Sequence, residues 1–285
     1  MNPGLQEDVF RTETGLVGII TLPEPSINPD LPAVVILNAG NIHRVGAGRT
    51  AVTLAREVAG RGHLCLRFDH AGVGDSAPRG DGVGLEESRV SEISQVLTGL
   101  ESQHGIDRFV VYGLCSGARD AFHAALLDER IVGIVQVDGF AYRNVRYYVN
   151  KIVHRAGDLP SMFRSMGRRL GLVERPSRVQ PGPDMWVEEW SAYPPRSQVE
   201  AGYRALVARG VRMFVAFTGS WYDEYNYERQ FIDMYPGVDF DDVLTLRYFP
   251  DATHTLTDPL IQRTVVIEVM RWLDAAFATD RQLAS

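Results

Sequence analysis

The stretch Gly113-Leu114-Cys115-Ser116-Gly117-Ala118 carries the strongest chemical signal in the sequence. It lies between an apolar run, Phe109–Tyr112, and a helix-like segment, Ala118–Leu127. The pattern glycine-x-nucleophile-x-glycine therefore falls on a strand-to-helix turn, where the nucleophile sits on a sharp, strained bend. Small residues two places before and after it keep the crossing backbone segments from clashing. Centring on Cys115 puts glycine at both small positions, whereas centring on Ser116 puts bulky Leu114 in the tight one. Cys115 is thus the candidate nucleophile. The helix N-terminus that follows offers N–H groups to developing negative charge and favours a thiolate. The plain alternative for a free cysteine is a small buried hydrophobe, which is how Cys65, between Leu64 and Leu66, reads.

Such a turn needs a sheet to stand on. Val9–Phe10 and Gly15–Thr21 pattern as a small hairpin, and Ala33–Leu37 as a continuous apolar strand ending at Asn38-Ala39-Gly40. Thr50–Ala59 is helical, His63–Phe68 a strand, Leu85–Leu100 a helix, and Ile131–Val137 a strand ending at Asp138. From about Phe140 to Tyr203 there is no strong strand signal, and the segment is rich in Tyr, Trp, Arg, Pro and Met. The rhythm resumes with Met213–Phe217, Val243–Tyr248 and a helix over Leu260–Phe277. Alternating strands and helices predict an α/β fold, a mostly parallel central sheet with helices on both faces. The boundaries expected are a core of residues 1–139 and 206–285, with 140–205 a helical lid inserted over one end of the sheet.

The chain resembles the α/β-hydrolase superfamily over nearly its whole length. The matching pieces run in the superfamily's order: Asn38-Ala39-Gly40-Asn41, Arg67 to Ser76, the Cys115 turn, and Asp251-Ala252-Thr253-His254. The stretch Asn38 to Gly48 and the Cys-centred turn look like the hydrolases associated with exosortase systems. The combination is also similar to the cysteine-dependent Dieckmann cyclases of tetramate biosynthesis. The resemblance implies that His254, which alone among seven histidines follows the last apolar strand, is the general base. For the acid two residues stand open. Asp223 occupies the later position that most of the superfamily uses. Asp138 occupies the earlier one, which the cysteine-dependent cyclases use. Asp138 is preferred, because a carboxylate at the end of a buried apolar run needs a partner, and His254 would supply one. Asp223, beside Glu224 and near Glu228, also fits a solvated face.

The resemblance further implies an oxyanion hole of backbone donors from Ala39 or Gly40 together with Ser116. Asn38, Asn41 and His43 are expected to line the substrate site, and Arg44 either to join them or to pair with a nearby acid. The Asp69–Ser76 segment reads as a turn tied down by its carboxylates. Tyr142, Trp186 and Trp190 in the insertion suit an acyl-binding cover or the packing of the lid itself. The arginines there, among them Arg143, Arg146 and Arg164, suit a phosphorylated carrier arm or coenzyme A, or a solvated face.

The remaining composition narrows the classes. The 285 residues are 45% hydrophobic and 23% charged, enough for a large core. A net charge of −7 argues against a nucleic-acid surface, and two cysteines are too few for a disulfide scaffold or a cysteine-built zinc site. No apolar run reaches the ~20 residues of a membrane helix, and no targeting layout is visible, so a cytoplasmic location is expected. No cofactor or metal is expected. The expected activity is acyl transfer through a Cys–His–Asp set: an ester or thioester hydrolase, an acyltransferase, or a Dieckmann-type cyclase on a carrier-bound thioester. The opposing class is a non-catalytic ligand-binding protein on the same fold.

Overall fold

Along the central strands, successive side chains face opposite sides of one sheet, and both sides are apolar. The computed structural model describes residues 5–24, 26–157 and 193–277. In chain order these form β1 (Gln6–Arg11), β2 (Val17–Leu22), β3 (Ala33–Ile36), α1 (Thr50–Ala59), β4 (Cys65–Asp69), α2 (Leu85–His104), β5 (Phe109–Leu114) and α3 (Ser116–Leu127). They continue with β6 (Ile131–Val137), α4 (Val145–Gly157), α5 (Arg196–Ala208), β7 (Arg212–Thr218), α6 (Gln230–Met234), β8 (Leu244–Phe249) and α7 (Pro259–Phe277). The sheet has eight strands in the order β1-β2-β4-β3-β5-β6-β7-β8. The β1–β2 and β2–β4 pairs are antiparallel, and every pair from β4 to β8 is parallel.

Buried on both faces, the inner parallel strands β3 and β5 read as continuous apolar runs. Ala33, Val35, Phe109 and Val111 meet α2, α3 and α5 on one side through Ile93, Leu97, Phe122 and Tyr203. Val34, Ile36, Val110 and Tyr112 meet α1 and α7 on the other through Leu54, Val58, Val269 and Leu273. The α/β fold with helices on both faces is what the strand–helix rhythm predicts. The boundary expected at residue 205 falls inside α5, whose Val199, Tyr203 and Leu206 lie in the main core. That helix packs with the sheet. Phe140 and Ala141 are themselves core residues. Among the described residues, no helix is long and apolar enough to cross a membrane.

Candidate active site

The parallel register brings three strand ends to one edge. Leu114 pairs with Val137 and Val137 with Ala216, so Cys115 and Asp138 are the first residues past two adjacent strands. The ladder runs one step further: Cys115 N–H donates to the Val137 carbonyl and Asp138 N–H to that of Ala216, both at 2.9 Å. β8 pairs with β7 up to Thr218–Phe249, which delivers the loop Pro250–His254 to the same edge.

At Cys115 the backbone adopts φ 58° and ψ −115°. This left-handed conformation costs a non-glycine residue about 1–3 kcal/mol and turns its side chain out of the sheet. The flanking glycines are required sterically. A Cβ on Gly113 would lie 2.0 Å from the Gly117 carbonyl, and one on Gly117 would lie 2.6 Å from the Asn38 carbonyl oxygen. α3 begins at Ser116, two residues before its expected start at Ala118, so Cys115 is the residue that immediately precedes the helix. Asp138 also has a positive φ, 51°.

The structure brings His254 and Asp138 together. His254 Nδ1 lies 2.7 Å from Asp138 Oδ2, and the Cys115 thiol interacts electrostatically with the same imidazole. Asp138 is buried, and Thr218 satisfies it with its N–H on Oδ1 and its hydroxyl on Oδ2, each at 2.7 Å. Burial alone would lower the imidazole pKa. The hydrogen bonds and charges of Asp138 and Cys115 outweigh it and push His254 up to about 9. Asp223 is elsewhere: its side chain is exposed and its Oδ1 accepts from Lys151 Nζ at 2.8 Å.

The loop after β3 sits across from the turn. Gly40 N–H donates to Ser116 Oγ at 2.7 Å, which removes it from the expected oxyanion set. The N–H groups of Ala39 and Ser116 have no acceptor among the described residues. Asn38 is buried and its amide is spent on architecture: Nδ2 donates to the Ile42 carbonyl and Asp69 Oδ1, and Oδ1 accepts from His70 N–H. It therefore has no donor left for a substrate. Asn41 is exposed on the same loop. His43 is half-buried, with Nε2 3.0 Å from Arg44. Arg44 is structural, bridging buried Asp69 and exposed Asp75. His43, Asp69 and Asp75 approach as a metal-binding group would, but the guanidinium already spans both carboxylates.

His70 is fully buried against Glu92 at 2.8 Å, and burial pushes its pKa down to about 4. It is a neutral packing residue, remote in role from the base. Tyr142 uses its hydroxyl on the Pro194 carbonyl and packs edge-on against Tyr193, whose own hydroxyl donates to the Gly139 carbonyl at 3.3 Å. Arg143 and Arg146 pair with Glu224 and Asp233, which favours the solvated-face reading for them. Trp186, Trp190 and Arg164 lie outside the described residues. Cys65 is fully buried, and burial pushes its thiol up.

Sequence reasoning missed Thr218, Tyr193 and Trp221. The Trp221 indole stacks on the His254 ring, with centroids 4.6 Å apart and planes 19° apart. Gln136 is a further one: it holds the Ala118 carbonyl at 2.7 Å beneath the turn and accepts from Tyr203 at 2.9 Å. A glutamine inside the apolar run Ile131–Val137 was the available signal.

No protein-family model and no curated protein matches the chain. Solved structures do match in fold. A putative hydrolase from Agrobacterium vitis S4 superposes with a TM-score of 0.59 at 14% identity, covering 95% of this chain and 99% of that one. The α/β hydrolase GrgF from Penicillium sp. sh18 gives 0.59 at 12% identity, covering 97% and 100%. The α/β serine hydrolase without lid, XC6422 from Xanthomonas campestris, gives 0.53 at 15%, covering 97% and 94%. The chain has the α/β-hydrolase fold.

Proposed function

We propose that this chain is an acyl-transfer enzyme, an ester or thioester hydrolase working through Cys115, His254 and Asp138. The observation that carries this is the 2.7 Å bond from His254 Nδ1 to buried Asp138, with Cys115 coupled electrostatically to the same imidazole. In the reaction, His254 Nε2 takes the thiol proton and Sγ attacks the substrate carbonyl carbon. The N–H groups of Ala39 and Ser116 receive the negative charge that develops on the carbonyl oxygen. Collapse expels the leaving group, which takes the proton from Nε2, and leaves an acyl thioester on Cys115. Water, deprotonated by the same nitrogen, then releases the acid and restores the thiol. Asp138 holds the Nδ1 proton, so Nε2 is left to accept, and stabilises the imidazolium.

One observation favours a second reading within this chemistry. The imidazole pairs with the acid at the end of β6 and not with Asp223 after β7. That is the arrangement the resemblance to cysteine-dependent Dieckmann cyclases implies, with a substrate carbanion replacing water and a ring as product. An acyl chain presented on a carrier protein or coenzyme A suits either fate, since thioesters exchange readily with a thiol. A reducing cytoplasm would keep the nucleophile competent.

The test is intact-mass analysis after treatment with iodoacetamide, an activated ester and an acyl thioester. One adduct on Cys115 is expected, absent in Cys115→Ala and strongly slowed in His254→Ala. A wild-type chain that forms no adduct with any of the three refutes the catalytic reading and leaves a binding protein. Product analysis with the acyl thioester then separates free acid from transferred acyl and from a ring.

A further inference from the structure

The face of the His254 ring is as closely managed as its edge. Trp221 covers it in near-parallel stacking at 4.6 Å and 19°. The indole rides on a short turn, Gly219–Trp221, that follows β7 directly. That turn is locked to the histidine loop. A Cβ on Gly219 would lie 1.7 Å from the Pro250 carbonyl oxygen, so only glycine permits the two loops to touch. Ser220 N–H donates to the Ala252 carbonyl at 3.3 Å, two residues before His254. Asp138 completes the arrangement, because the same carboxylate that holds His254 Nδ1 also holds the N–H and hydroxyl of Thr218, the residue preceding the turn. One buried anion therefore fixes both the edge of the imidazole and the strand end that delivers an indole to its face.

We propose that Trp221 is a positioning residue for the base: it holds the His254 ring in the Cys115–Asp138 plane and, through its π face, favours the imidazolium over the neutral imidazole. This rests on the reading of His254 as the general base. The charged and titratable groups facing the imidazole are Cys115 from the strand-to-helix turn and Asp138 from β6. Tyr112 of β5 and Tyr248 of β8 interact electrostatically with Asp138, and Tyr193, with Arg119 over its ring, does so with Cys115. Among the described residues the indole is the aromatic face stacked on the imidazole. The acid's position at the end of β6 frees the loop after β7 for this task.

The experiment is NMR titration of 15N-histidine protein, with the His254 resonance assigned by its loss in His254→Gln. In the wild type, stacking predicts ring protons shifted upfield by the indole. In Trp221→Leu that shift disappears, the His254 titration midpoint falls by about half to one pH unit, and Cys115 alkylation at pH 7 slows about three- to tenfold. Trp221→Phe, which keeps an aromatic face and guards against loss of folding, recovers most of both. A His254 midpoint in Trp221→Leu equal to that of the wild type overturns the proposal, as does a Trp221→Phe variant indistinguishable from Trp221→Leu. Turnover of acyl substrates is read separately. A shifted midpoint without turnover in the wild type leaves the role of Trp221 standing and removes the proposed reaction instead.

Discussion

Replacing Asp138 by Asn tests the site at its most constrained point, because the change keeps the shape and removes the charge. In the wild type Asp138 accepts three hydrogen bonds, from Thr218 N–H, Thr218 Oγ and His254 Nδ1, each at 2.7 Å. An asparagine whose Oδ1 keeps the Thr218 N–H turns its NH2 toward Thr218 Oγ and Nδ1. Nδ1 must then accept, which places the imidazole proton on Nε2, where it blocks proton transfer from Cys115. The charge matters as well. Raising an imidazole from 6.5 to about 9 corresponds to roughly 3 kcal/mol of preference for the imidazolium. Asp138 shares that effect with Cys115, so half of it, ~1.5 kcal/mol, is about a tenfold loss. The wrong tautomer adds a larger factor, and the two together predict a fall of about 10³- to 10⁴-fold in kcat/KM. The assay is acyl-thioester turnover alongside iodoacetamide alkylation of Cys115, with thermal unfolding to confirm that the variant remains folded. Asp223→Asn, which loosens a surface pair with Lys151, should stay within about threefold of the wild type. An Asp138→Asn enzyme within threefold of wild type, or an inactive Asp223→Asn, would refute the assignment.

Other outcomes follow from the same geometry. Ser116→Ala should keep the Cys115 adduct while losing the hydroxyl that holds Gly40 N–H, lowering kcat by a few-fold to about tenfold; an acyl adduct mapped to Ser116 in the wild type and lost in this variant would make Ser116 the nucleophile. Gly113→Ala forces a Cβ into the Gly117 backbone and should cost at least ~2 kcal/mol in denaturant unfolding, a loss that a neutral result would contradict. His70 has its pKa lowered to about 4 by burial, so its contribution to stability is complete above pH 6.5 and is lost as pH falls from there toward 4. His70→Gln should therefore flatten stability against pH in that window. His254 has the opposite sign: its contribution is complete below pH 6.5 and is lost as pH rises through about 9, and His254→Gln should remove that alkaline decline.

Much of the architecture was legible because each element announces itself locally. Ala33–Leu37 is apolar on every residue and Ile131–Val137 on every residue but Gln136, as expected of strands covered on both faces, and Cys115 stands between glycines that the backbone crossing demands. The stretch after Phe140 was less legible. α5 carries Val199, Tyr203 and Leu206 at helical spacing, but it follows a segment rich in Arg, Pro and aromatic residues and reads as part of the insertion until the Phe122 contact is seen. The pairing of Asp138 with His254 could be anticipated from the cost of burying a lone carboxylate. That the Gly40 N–H is already taken could not, because it depends on where a serine hydroxyl 76 residues away points. Trp221 was invisible for the same reason: stacking on His254 exists only once two loops from separate strands have closed on each other.

Lys151 is the only lysine in the chain, and its ammonium is held by Asp223 at 2.8 Å and by the Tyr147 hydroxyl at 2.9 Å. The contact clasps α4 to the loop that carries Trp221. It also gives the molecule a single side-chain amine at a defined junction, so an amine-directed label can be placed there without a background of other lysines. The bond to Asp223 raises the pKa of this amine and withholds its lone pair from acylating reagents. Its labelling rate therefore reports how often the clasp opens, and a fluorophore attached there would follow α4 moving against the loop beside the thiol while leaving Cys115 free.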